Sequence, residues 1–176
     1  MKSSSPEVRI TVPPTQNAIH LLRTAQQHHV SLSAMADQKA NIMIGVSALI
    51  FSMLLGYTQK EGLTLPVLIL FVSTFAAAIT SIMAVMPAVK TTDRVQSGVN
   101  PLFFGSFSEK SPEEYCAEME KILKSDDSIY TAMAMDMYYL GGVLYRKKYK
   151  YLAYSYRIFL VGLVLAFVTG LFTHWE

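Results

Sequence analysis

Three long runs of this chain contain no Asp, Glu, Lys, Arg or His: residues 41–58, 63–86 and 158–172. A membrane-crossing helix needs roughly 20 predominantly apolar residues. The second run meets this outright. The first does so once Ala40 is added, and the third extends to 158–174, where Tyr154, Tyr156 and Trp175 flank it as interfacial aromatics. The chain has 176 residues, 52% apolar and 16% charged, whereas soluble domains carry about 25% charged residues. The pattern predicts an all-α membrane protein with three transmembrane helices. The first run begins behind a long polar leader, so it reads as a retained span rather than a cleaved signal peptide.

Charge gives the orientation. Of the fifteen Lys and Arg residues, four precede the first run, one (Lys60) lies in the turn between the first two, and ten lie in 89–157. By the positive-inside rule the N-terminus and the 87–157 segment are expected in the cytoplasm, and the short hairpin and the C-terminus outside. The net charge of +2 gives no reason to expect a nucleic-acid polymer as partner, and Cys116 alone forms no intramolecular disulfide.

The cytoplasmic half reads as helical. Residues 1–15, with three serines and Pro13-Pro14, read as a flexible arm ending on Thr15 as an N-cap. From Gln16 nothing breaks a helix. Ile19, Leu22, Ala25, His29, Leu32, Ala36, Ala40 and Met43 recur at threes and fours, which predicts a cytoplasmic helix over 16–40 continuing into the first span, roughly 60 Å in all. After Pro87 comes a loop. Ser111-Pro112-Glu113-Glu114 then starts a short amphipathic helix with a capping box, and Ser125-Asp126-Asp127 caps the next. In that last helix Ile129, Met133, Met137, Leu140 and Leu144 share a face that Tyr151 and Ser155 continue, with Gly141-Gly142 as the expected weak point. The helical extensions and the short helix together predict a cytoplasmic helical bundle.

The string MADQKANIMIG (35–45) resembles the A-D-x-K-A signature of the Pycsar effector transmembrane proteins. NPLFFGSFSEKSPEEY (100–115) and YRKKYKYLAYSYRIFLVGLVLAF (145–167) resemble later blocks of that family, so that the resemblance covers roughly 16–172. It implies a membrane effector of bacterial anti-phage defence, activated by cyclic CMP or cyclic UMP from a pyrimidine cyclase to impair the inner membrane. The related domain also occurs fused to other modules such as HD-type phosphohydrolases, so the resemblance alone does not fix the trigger. A membrane-anchored regulatory or scaffolding module that recruits a partner through its cytoplasmic helices is the alternative.

Several residues stand out as ligand or switch candidates. Asp37 and Lys39 lie at the mouth of the first span, too close in sequence to face each other on a helix. They read either as parts of a polar latch, with Arg146 or Lys147 across from them, or as a solvated Asp beside a Lys reaching for lipid phosphate. Arg146, Lys147, Lys148, Lys150 and Arg157 suit anionic lipid or, with Arg leading, a nucleotide phosphate. Phe103 and Phe104 could stack on a base or fill an apolar gap, with Asn100 and Ser106 near them as hydrogen-bonding groups. Small residues four apart, Ala48, Ser52 and Gly56, Ser73, Ala77 and Ser81, and Gly162, Ala166 and Gly170, mark close helix packing, within one subunit or in a homo-oligomer. His20, His28 and His29 lack metal-ligand spacing. The chain holds no phosphate-binding glycine loop, nucleophile elbow or paired carboxylates that would support catalysis or call for a cofactor.

Overall fold

The computed structural model describes residues 16–87, 102, 107–108 and 110–173. Its long elements are α1 (Gln16–Glu61), α2 (Leu65–Val85), α3 (Pro112–Leu123), α4 (Asp126–Val143), a π-helical segment (Leu144–Tyr149) and α5 (Lys150–Thr173). There is no strand among the described residues. Three helical stretches are long and apolar enough to cross a membrane: Asn17–Glu61, Leu65–Val85 and Asp126–Thr173. The protein is an all-α membrane protein.

The chain divides into two compact units, one from residues 31–87 and 143–176, the other from residues 1–30 and 88–142. In the first, the turn between α1 and α2 is set by Gly62. Its φ of +82° closes α1, and its N–H donates to the Thr58 carbonyl at 3.1 Å. That left-handed conformation is inexpensive only for glycine. Pro66 then sits in the first turn of α2, where its missing N–H costs nothing.

α2 and α5 run antiparallel on their small-residue faces. Ser73, Ala77 and Ser81 of α2 are buried, as are Ser155, Gly162 and Ala166 of α5. A Cβ at Gly162 would overlap the Ser73 side chain, so glycine sets how closely the two helices approach. Near the other end Ser155 Oγ donates to the Ala77 carbonyl at 2.8 Å and lies 2.7 Å from Ser81 Oγ. A hydroxyl has no water to bond with in hydrocarbon, which is why Ser52, Thr74, Thr80 and Thr169 turn back onto carbonyls of their own helices. α1 joins through Ala36 and Ala40, which cluster with Ala84 and Leu152, and through Phe51, whose ring centroid is 4.2 Å from that of Phe71.

In the second unit, α3 begins as its sequence predicts. Ser111 Oγ accepts from the Glu114 N–H at 3.2 Å, and the Glu114 carboxylate accepts from the Ser111 N–H at 3.1 Å. Its backbone N–H and the Ser111 hydroxyl hold the Glu113 carboxyl below its ordinary value. Ser125 caps α4, accepting from the Ser128 N–H at 3.2 Å. The expected weak point at Gly141-Gly142 is still helical; the irregularity falls just beyond, in the π segment.

Candidate functional site

The polar groups of the first unit gather where α1 passes the π segment. Lys148 Nζ donates to both oxygens of Asp37, at 2.6 and 2.5 Å. The pair is partly shielded, with the Lys148 side chain 22% and the Asp37 side chain 39% exposed. One turn earlier on α1 the Leu32 carbonyl accepts from the Tyr149 hydroxyl at 3.3 Å. Directly beneath lies the Ala36, Ala40, Ala84 and Leu152 cluster. Alanine at 36 and 40 leaves room for a lysine and a tyrosine from the facing segment to reach α1.

Within the π segment Lys148 is the cation that faces Asp37. A π turn closes i→i+5 bonds and so carries one residue more than an α turn. The buried positions on this stretch are Leu144 and then Leu152, Ser155, Gly162 and Ala166. Lys148 lies four residues beyond Leu144, on the same side, and is half-buried, while Arg146 and Lys147 are exposed. The expected partner of Asp37 was Arg146 or Lys147; the structure supplies Lys148. Lys39 is exposed. Asn100, Phe103, Phe104 and Ser106 lie outside the described residues.

The packing faces separate into two kinds. Gly162 and Ala166 are buried against α2, and Gly170 approaches Pro66. Ala48, Ser52 and Gly56 of α1 are all exposed, so among the described residues this face is left unused.

The second unit contains a polar contact that sequence reasoning missed. Asp136, 4% exposed, accepts from Gln26 Nε2 at 3.2 Å. Nearby, the His29 ring approaches Gly141, and among the described residues the buried His29 Nδ1 has no hydrogen-bond partner. The signal was available, because Asp136 is the one acidic residue between Ser128 and Trp175. Among the described residues no three His, Cys, Asp or Glu side chains are grouped to hold a metal ion.

Among the described residues the arrangement is an ion pair that ties α1 to the π segment. No curated protein and no solved structure matches the chain. The model of the Pycsar effector protein domain, PycTM, matches residues 20–174, nearly the whole length. With three helices able to span a bilayer and a family match across all of them, the chain belongs to the Pycsar effector family of membrane proteins.

Proposed function

We propose that this protein is a membrane effector of bacterial abortive-infection defence, one that binds a cyclic nucleotide such as cyclic UMP or cyclic CMP and in response impairs the inner membrane without catalysis. The family match over residues 20–174 is the observation that carries this reading. The spans are 41–58, 63–86 and 158–174, with residues 1–40 and 87–157 in the cytoplasm and the C-terminus outside. The distribution of Lys and Arg supports that orientation.

The switch is the Asp37–Lys148 pair. A nucleotide phosphate offers Lys148 a competing anion, and a ligand shifts a conformational equilibrium only by binding one state better than the other. Releasing Asp37 would free α1 from the π segment at the mouth of the first span. Asn100, Phe103 and Phe104 supply base recognition, Arg146 and Lys147 the phosphate contacts. The unused face of Ala48, Ser52 and Gly56 supports association of copies, since small residues let backbones approach closely in lipid.

Dye release from liposomes containing the purified chain tests the proposal. Release on addition of cyclic UMP or cyclic CMP is expected. No release with either, or with any cyclic oligonucleotide, together with a stable protein partner in pull-downs and no toxicity in cells, would favour the scaffolding alternative. Phe103→Ala with Phe104→Ala should weaken nucleotide binding by about 1–3 kcal/mol per lost stacking contact, measured by calorimetry on the purified protein.

A further inference from the structure

Among the described residues, one arginine on the membrane helices has no acidic side chain lining the grooves around it. Arg157 is exposed on α5 and lines two neighbouring surface grooves, one between α2 and α5 and one between α1 and α5; neither is lined by an acidic residue. Its depth follows from helix pairing. Ser155 bonds to the Ala77 carbonyl, and the apolar run of α2 continues from Ala77 to Val85, about two turns or roughly 12 Å further. Arg157, the last residue before the third span, therefore leaves its helix beside the apolar run of α2, and its long side chain can reach back along α5 toward the headgroups. A cation there is costly unless it reaches an anion.

The groove between α2 and α5 has a volume of about 570 Å³. Leu68 and Val72 form one wall, Val161 and Leu165 the other, and Gly162 the floor, with Arg157 at one end. It runs along the line where Gly162 packs closely on Ser73. On the same face of α5, Lys150, Tyr154 and Arg157 follow at spacings of four and three, all exposed, and lead into Val161. The order along this stripe is cation, aromatic, cation, hydrocarbon. That sequence of chemistries matches a phospholipid read from headgroup to chain, since Lys and Arg reach for phosphate and Tyr favours the interface.

We infer that this groove is a binding site for an anionic phospholipid of the leaflet on the Lys150 side. The phosphate rests on Arg157 with Lys150 above it, and an acyl chain lies along the groove over Gly162. Free inorganic phosphate has no acyl chain to cover the apolar walls, so it gains nothing from the groove and does not hold the site. The site does not depend on which ligand activates the protein.

Native mass spectrometry of the full chain, extracted from mixed vesicles of phosphatidylglycerol and phosphatidylcholine with matched chains, provides the test. Phosphatidylglycerol should be retained in preference to phosphatidylcholine. Arg157→Ala should lower that retention about fivefold, the effect of one basic residue at an anionic surface, while Arg157→Lys retains part of it. Val161→Trp, which fills the groove and keeps the charge, should lower retention as well, and added inorganic phosphate should not displace the lipid. Equal retention of the two lipids, unchanged retention in Val161→Trp, or displacement by phosphate would each overturn the assignment. Circular dichroism of each variant checks that the helices form. Should Arg157→Ala not fold, Arg157→Lys and Val161→Trp still decide the outcome.

Discussion

Lys148 meets both oxygens of one carboxylate, while its neighbours Arg146 and Lys147, of the same charge and in the same stretch, meet no such partner in the first unit. The difference is direction, not chemistry. A partly shielded pair of this kind contributes on the order of 1 kcal/mol, so a double-mutant cycle of Asp37→Ala and Lys148→Ala should show a coupling near that size in thermal unfolding. The same cycle with Lys147 should show none. Asp136 presents the opposite case. It is buried, and removing it leaves Gln26 without its acceptor; Asp136→Ala should therefore cost about 1–3 kcal/mol, read by hydrogen exchange of α4 amides. The carboxyl of Glu113, held below its ordinary value, has a defined sign. Its contribution to the start of α3 is present above the usual carboxylate range and is lost as pH falls through the depressed value.

At the scale of elements, the antiparallel pair of α2 and α5 rests on side chains too small to separate them. Gly162→Ala should destabilise by about 1–3 kcal/mol through overlap with Ser73, and Ser73→Gly in the same chain should recover part of that loss in a detergent-melting assay. Ser155→Ala should cost about 0.6 kcal/mol, the average for polar contacts between membrane helices. Much of this level was legible. The apolar runs gave the helices able to span, and Ser111-Pro112 gave the start of α3 to the residue. The face of the last helix was legible in part. Leu144 and Ser155 are buried as expected, whereas Tyr151 only packs at the edge of the cluster around Leu152. No residue type announces a π segment. The partner of Asp37 lay one position beyond the expected pair, because which of three neighbouring cations meets a carboxylate depends on the facing helix.

For the molecule as a whole, the proposed topology makes a direct prediction through its single cysteine. Cys116 is exposed on α3. A membrane-impermeant maleimide should label it only after cells are permeabilised, whereas Lys60→Cys in a Cys116→Ser background should be labelled in intact cells. The reverse pattern would invert the orientation. Family membership and the three helices fit to span a bilayer carry the reading to membrane effector. The triggering ligand lay beyond the geometry, because Asn100, Phe103 and Phe104 fall outside the described residues.

The π segment also gives this protein one stretch from which a residue can be lost without turning the two ends of a long helix apart. Substitutions at exposed Tyr145, Arg146 or Lys147 change a surface, and removing one of them lets the stretch wind as ordinary helix, since a π turn holds one residue more than an α turn. The flanks then face as before, and Gly162 stays against Ser73. A single-residue deletion within α5 has no such reserve and turns everything beyond it by about 100°, one residue's share of an α-helical turn. In a detergent-melting assay, deletions in 144–149 should therefore be tolerated far better than deletions between Ser155 and Gly162.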